Sequence, residues 1–471
     1  MKFINRTMEF ELLKQCSNFS QKKLYTVVIY GLRRVGKTRL ILEFIKTDGL
    51  YFYVTKNKSS SSLLEEFEQT LRIKKYLTEF EKINNWDSFF TILFTRVKGI
   101  IVFDEFQQFY DIDMSIYGLL QKYIDLYENE KNILLIFLGS LIGLIKKTFR
   151  DQKEPLYGRV KRELFLKQLK FSESIEFCKE LKITDPNDII SLYSIFGGFP
   201  RYYIAIEDEG LEGNRIDKIM DKFFLNKNAL FENEVEMILS LEFGKRRGRY
   251  YDILAAIAAG NTKLSKISNY LKIKETQLTR YISELTNFFE LICQEEQVIG
   301  NKKLFAINNP LINFWFKFFY KNSSLYHIRE KKFIEMVKKE VNSYVGMRFE
   351  TICKEFLINK QLFNFEKIGK QWGKYSGESG KNTYEIDICA INNLNKEILF
   401  AECKWKENIN ASKIADDLQF KASFVDWNAN NRVEYYAIFA KSFNKKISSY
   451  NGKKVFCYDI NDLICQEPLV K

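Results

Sequence analysis

Hydrophobic residues in the first third of the chain come in short, unbroken runs. Tyr25-Thr26-Val27-Val28-Ile29-Tyr30, Ile100-Ile101-Val102-Phe103 and Ile133-Leu134-Leu135-Ile136-Phe137-Leu138 are β-branched, leucine-rich or aromatic throughout. Runs this short and evenly apolar predict strands buried on both faces, the pattern of a parallel sheet. Arg39-Leu40-Ile41-Leu42-Glu43-Phe44-Ile45 follows the first run and predicts a helix. Strands alternating with helices predict an α/β layer, doubly wound.

The pattern changes further on. Tyr250 to Ala259, Lys263 to Leu271 and Glu275 to Phe289 carry helical spacing, the last with Leu278, Ile282, Leu285 and Phe289 on one face. Leu291-Ile292-Cys293 and Lys303-Leu304-Phe305-Ala306-Ile307 then read as strands around Gly300-Asn301. Three helices and a hairpin predict a winged helix-turn-helix. Its third helix would expose Lys274, Thr276, Gln277, Thr279 and Arg280 to a nucleic acid. The aromatic run Phe314 to Tyr320 predicts a buried helix rather than a base-stacking platform. Near the C-terminus, strands Tyr384 to Ile391 and Ile398 to Trp405 flank a turn at Asn392 to Lys396. A helix near Leu418-Gln419-Phe420 and a strand Val433 to Ala440 complete a second α/β layer.

Composition narrows the picture. A chain of 471 residues exceeds one ordinary core, and only 5 prolines leave no proline-rich linker. The net charge of +13 suits an anionic partner such as DNA, and also plain solubility. The 8 cysteines form no C-x-x-C, which predicts reduced thiols. One histidine, His327, excludes His-based zinc sites and Ser-His-Asp triads. The start, Met1 to Arg6, lacks the apolar core of a signal peptide, and Ile133 to Ile145 is too short to span a bilayer. A cytoplasmic protein without a membrane segment is expected.

The chemistry begins at residues 31–38, G-L-R-R-V-G-K-T, a full phosphate-binding P-loop pattern between a strand and a helix. Gly31 and Gly36 free the backbone to turn its N–H groups inward, and the helix dipole adds to the pull on an anion. Lys37 would reach the β- and γ-phosphates of ATP, and the Thr38 hydroxyl would bind Mg²⁺. Arg33, Arg34, Val35 and Arg39 complete the nucleotide-contact set. Asp104-Glu105 ends the strand Ile100 to Phe103, the Walker B arrangement: Asp104 for the Mg²⁺ shell, Glu105 for the attacking water. Ser140, at the end of the next strand, would sense the γ-phosphate or merely cap a helix.

The paired arginines of the P-loop, the run Asp104-Glu105-Phe106-Gln107 and Gly139-Ser140 resemble the archaeal-type ATPase family, a branch of the AAA+/STAND-like P-loop ATPases. Phe3-x-x-Arg6 with Glu11-Leu12-Leu13, Leu156-Tyr157-Gly158-Arg159, and Gly197-Gly198-Phe199-Pro200-Arg201-Tyr202-Tyr203 are similar to further motifs of that family. The resemblance implies a helical lid and makes Arg159 and Arg201 candidates for the γ-phosphate, a role that suits an always-charged bidentate donor. The loop Lys245-Arg246-Arg247-Gly248-Arg249 is a separate phosphate-binding candidate or a solvated linker.

Glu385-Ile386-Asp387 and Glu402-Cys403-Lys404-Trp405 resemble the nuclease-like C-terminal domain that this family often carries, and the D…E-x-K pattern of the PD-(D/E)XK core. Asp387 and Glu402 would bind Mg²⁺, Lys404 would stabilise developing negative charge, and Glu350 matches the superfamily's helix acid. Ile386 stands where the superfamily's name has proline. The expected organisation is a P-loop NTPase core at 1–165, a helical lid at 166–245, a winged helix-turn-helix with its connecting helix at 246–330, and a restriction-endonuclease-like α/β domain at 331–471. The expected function is ATP hydrolysis coupled to DNA binding or cleavage, in a chain that could self-associate. The alternatives are a STAND-like signalling switch with an inactive nuclease-like module, and a DNA-binding regulator.

Overall fold

The computed structural model describes residues 2–465 apart from 47, 131, 245–246 and 378–379. It divides into two compact units, Met1–Gln168 with Phe199–Arg201, and Leu169–Gly198 with Tyr202–Lys471. Among the described residues no helix is long and apolar enough to cross a membrane.

In the first unit, α1 (Thr7–Ser20) leads to β1 (Tyr25–Tyr30), the P-loop and α2 (Lys37–Ile45). Four more strands follow: β2 (Gly49–Tyr53), β3 (Gly99–Asp104), β4 (Ile133–Gly139) and β5 (Arg162–Phe165). The sheet runs β2-β3-β4-β1-β5 with every pairing parallel. β4 is buried along its full length and β1 at all but Tyr25, as their apolar runs require. Against one face packs an aromatic cluster: Phe52 lies 4.7 Å from Phe67, and Phe106 lies 4.5 Å from Phe137, centroid to centroid. α2 begins two residues before the apolar spacing suggests, because Gly36 turns the chain with φ 94°.

The second unit opens with helices Phe171–Glu180 and Pro186–Phe196. Helices Gly248–Ala258, Leu264–Leu271 and Glu275–Ser283 precede the antiparallel pair β6 (Ile292–Glu296) and β7 (Lys303–Ile307). The run expected as one helix to Phe289 widens into a π-turn at Glu284–Phe288. Lys274, Thr276, Gln277, Thr279 and Arg280 are exposed. The helix Pro310–Phe318 buries Phe314, Trp315, Phe316 and Phe318, so the aromatic run is core.

After the long helix Lys331–Lys360 come β8 (Lys367–Gly377), β9 (Gly380–Asn392), β10 (Glu397–Lys404), β11 (Ile409–Asn410), helix Ala411–Ala422, β12 (Val433–Ala440), β13 (Phe443–Lys445), β14 (Ser449–Tyr450) and β15 (Lys453–Tyr458). The sheet order is β14-β15-β12-β10-β9-β8, with β11 and β13 paired separately.

The segments beyond residue 168, Phe199–Arg201 apart, share the second compact unit. Two sets of contacts explain this. The half-buried Glu355 of the long helix accepts from Phe171 N at 2.8 Å and from Tyr193 Oη at 3.0 Å. The turn between β6 and β7 docks on β8: Val298 N donates to Lys370 O at 3.1 Å, Ile299 N to Gln371 Oε1 at 2.9 Å, and Lys367 Nζ to Gln297 O at 2.7 Å. Val298 also enters the core of the C-terminal sheet. The tip of this hairpin is thus a packing element rather than a free wing.

Within the second unit Gly198 lies against the Leu169 backbone so closely that a Cβ there would overlap the Leu169 carbonyl. Gly198→Ala is expected to cost about 1–3 kcal/mol of stability, read as a lower urea midpoint with an unchanged slope.

Candidate functional site

Three strand ends converge on one edge of the first sheet. The P-loop follows β1, Asp104-Glu105 closes β3, and Ser140 follows β4, which lies between them. Parallel pairing puts all three on the same edge. Gly36, the N-cap of α2, has no side chain to cap the helix, an arrangement that suits a helix N-terminus facing an anion. Lys37 is 6% exposed, and its ammonium folds onto the loop, donating to Gly31 O at 2.8 Å and Leu32 O at 3.1 Å. Gly31 has a packing reason too, since a Cβ there would overlap the Leu166 carbonyl.

Arg6 braces the loop from the opening segment. It is buried, has φ 70°, and donates through Nη2 to Val35 O at 3.0 Å and Lys167 O at 2.8 Å. Its Nη1 pairs with Glu9 at 2.8 Å. The motif Phe3-x-x-Arg6 pointed to this residue without revealing its partner.

Thr38 Oγ1 donates to Asp104 Oδ2 at 2.7 Å, so two hard oxygens adjoin, as a Mg²⁺ shell requires. Tyr51, from β2, donates to the same Asp104 oxygen at 2.7 Å. Burial, and then the charge of Asp104, push the Tyr51 phenol up, so it stays a donor. Glu105 N donates to Asp104 Oδ1 at 2.7 Å. The Glu105 carboxylate accepts from Ser140 Oγ at 2.8 Å and from the Gln107 amide. Ser140 thus meets the acid at the strand end. Gln107 belongs to the Asp104-Glu105-Phe106-Gln107 run, which did not reveal its partner, whereas Tyr51 follows from no motif because its contact depends on strand order.

The remaining basic candidates separate. Arg33 and Arg34 lie in the loop, Arg34 with φ 71°, and Arg39 is exposed on α2. Pro200 belongs to the first unit and lies 3.7 Å from where a Gly36 Cβ would be, so Arg201, the next residue, starts its helix beside the P-loop. Arg159 does not reach this edge. Its carbonyl accepts from Thr26 Oγ1 at 2.6 Å, near the start of β1, and its guanidinium pairs with Asp125 at 2.8 Å. Five residues separate Thr26 from Gly31, on the order of 15 Å of strand. Within its own chain Arg159 therefore does not stand at the γ-phosphate position: it braces the opposite edge. Lys245 and Arg246 of the basic loop lie outside the described residues, and Arg249 pairs with Asp252 at 3.6 Å.

A second cluster forms in the other unit. β9 and β10 are antiparallel, and Asp387 Oδ2 accepts from Cys403 N at 2.8 Å. Glu402 is 1% exposed and ion-pairs with Lys404 through one oxygen and with Lys421, at 2.5 Å, through the other. Glu350 pairs with Lys370 at 2.5 Å. Lys370 lies where the β8 register shifts between Gly369 and Gln371, a bulge that re-aims its side chain. Burial and the neighbouring charge of Glu402 push Asp387 up. Burial, opposed by Lys370 and reinforced by Asp387, raises Glu350 to about 7. Burial alone would depress Lys404, yet Glu402 beside it carries it above its ordinary value. A cavity of about 280 Å³ opens onto Glu402, Lys404, Lys421, Tyr375, Tyr384 and Phe420.

The expectation that Glu350, Asp387 and Glu402 gather around a metal needs correction. Among the described residues no three acidic, thiol or imidazole groups are placed to hold a metal ion. Both Glu402 oxygens and one of Glu350 are ion-paired to lysines instead. As arranged, the three acids do not form a single three-carboxylate cation site. Lys370 and Lys421 escaped the sequence reading because a bulge and a helix packing, rather than any spacing, bring them in.

Comparisons with known proteins agree with the first unit. Residues 3–206 match a family described as "ATPase domain predominantly from Archaea", and residues 315–414 one described as "Archaea bacterial proteins of unknown function". The uncharacterized protein MJECL04 of Methanocaldococcus jannaschii is 30% identical over 98% of this chain and 99% of its own length. A second uncharacterized protein of that organism, MJ1544, is 24% identical over 65% of this chain and 64% of its own. The solved structure of the Walker-type ATPase PABY2304 of Pyrococcus abyssi is similar in fold, with a TM-score of 0.52 and 21% identity, covering 67% of this chain and 96% of that one.

The Glu350 carboxyl gives a pH test. Its folded pKa, about 7, lies above the ordinary 4.5, so its contribution to stability is complete below pH 4.5 and is lost as pH rises through about 7. Chemical denaturation should show the native chain losing stability relative to Glu350→Gln across that window, with a constant difference on either side.

Proposed function

This chain belongs to the archaeal-type P-loop ATPase family, and from that premise we propose that it couples ATP hydrolysis to the handling of nucleic acid by its C-terminal α/β region. The observation that carries the ATPase part is the 2.7 Å contact of Thr38, on the first turn of α2, with Asp104 at the end of β3. Lys37 and the first-turn N–H groups of α2 would bind the β- and γ-phosphates. Thr38 and Asp104 would hold Mg²⁺, which supplies charge neutralisation on the phosphates when bound. Glu105 would take the proton of the attacking water, with Ser140 and Gln107 setting the direction of its carboxylate. Arg201 would add a cation near the loop.

For the C-terminal region, Asp387, Glu402 and Lys404 support a nuclease-like reading, and Lys421 joins them as a second lysine. The two lysines would bind a phosphodiester, and exposed residues of the helix Glu275–Ser283 would add contacts to DNA. A second reading, a STAND-like switch whose nuclease-like region only binds, is favoured by the pairing of both Glu402 oxygens with lysines. Cleavage assays with Mg²⁺ or Mn²⁺ separate the two. Cleavage of DNA or RNA that disappears in Glu402→Ala and Lys404→Ala supports the nuclease, and binding without cleavage supports the switch.

Glu105→Gln should slow ATP turnover by roughly 10²–10⁴-fold with nucleotide binding retained, whereas Lys37→Ala should lose both. Asp387→Ala should leave ATP turnover at the native rate, measured as phosphate release.

A further inference from the structure

We propose that Tyr51 is a positioning residue of the hydrolysis site, holding Asp104 in the orientation that serves the cation. The inference rests on the ATPase reading and extends it to a strand that no motif marks. Asp104 is 1% exposed and engaged on both oxygens. Oδ1 accepts from Glu105 N at 2.7 Å, a contact local to the chain. Oδ2 accepts from two hydroxyls, Thr38 and Tyr51, each at 2.7 Å.

Those two donors differ in kind. Thr38 stands on the first turn of α2, in the loop that receives the nucleotide, and its oxygen is itself a proposed cation ligand. Tyr51 comes from β2, which pairs in register with β3: Tyr51 opposite Val102, and Tyr53 opposite Asp104. Its backbone is fixed by the sheet, and a phenol has few rotatable bonds. A cation would take a lone pair of the Thr38 oxygen and leave its proton for Asp104, so that contact depends on the position of the loop that receives the nucleotide. Tyr51, held by the sheet, is the side-chain donor to Asp104 that does not depend on that loop. Groups that orient a metal ligand in this way commonly change cation affinity without touching the cation.

The ordinary alternative is a half-buried tyrosine whose hydroxyl has found the nearest acceptor. The full chain with Tyr51→Phe distinguishes the two, since the ring stays and only the hydroxyl goes. Binding of a fluorescent, non-hydrolysable ATP analogue would be measured in chelator and then across a Mg²⁺ titration. The expected result is unchanged binding in chelator and a Mg²⁺ half-saturation raised about 10-fold or more. ATP turnover should recover as Mg²⁺ is increased. In an Asp104→Asn background, adding Tyr51→Phe should produce no further shift, a comparison that still reads the coupling if Tyr51→Phe alone lowers stability. A half-saturation within about twofold of native, or an equal shift in both backgrounds, would overturn the proposal. If the native chain binds the analogue in neither condition, the ATPase reading itself fails, a separate and recognisable result.

Discussion

Everything at the nucleotide edge depends on one constraint, the parallel order β3-β4-β1. Strands in that order deliver the P-loop, Ser140 and the Asp104-Glu105 pair to one edge without any of them being neighbours in sequence. The hydrogen bond from Thr38 to Asp104 closes the arrangement. It ties the first turn of α2 to the end of β3 across the intervening β4. The braces around it have structural reasons of their own. Arg6 holds the Val35 carbonyl, and the close approach of Leu166 forbids a side chain at Gly31. A loop built to receive phosphates must leave its N–H groups unfilled, so its shape has to be imposed from outside.

The second unit obeys a different constraint. Its helical segment, its hairpin and its C-terminal sheet are joined by polar contacts buried among apolar ones. Glu355 ties the long helix to Phe171 and Tyr193, and the β6–β7 turn is stitched to β8 by backbone and side-chain bonds. Buried polar groups are tolerated only when they are satisfied, so these contacts specify one arrangement of the segments.

How much of this was legible in the sequence follows from which physical signal each part leaves. β1, β3 and β4 were readable because strands buried on both faces need continuous apolar runs. β2 and β5 lie at the sheet edges, and Gly49–Tyr53 and Arg162–Phe165 carry mixed residues that do not stand out. The residues of the P-loop and the acidic pair were readable because phosphate and cation chemistry fixes their spacing. Arg159 misled because a motif gives a residue without saying at which end of a strand it lies; its contact with Thr26 puts it at the far edge. Tyr51, Lys370 and Lys421 had no signal at all, since register, a bulge and a helix packing bring them to their partners. The contacts of Glu355 with Phe171 and Tyr193 were hidden for the same reason, because Glu355 reads as an ordinary helix glutamate.

The C-terminal cluster shows why spacing alone overstates a metal site. Burying Asp387, Glu402 and Glu350 together would set three like charges against one another in a low-dielectric pocket, and unpaired buried charge is costly. Lys370, Lys404 and Lys421 offset that cost in the ion-pair pattern, and Glu350 relieves more of it by holding its proton to about pH 7. Three carboxyls against three ammonium groups leave little net charge to attract a free cation. For a divalent ion to enter, at least one lysine must give up its carboxylate, and the natural replacement partner for that ammonium is another anion.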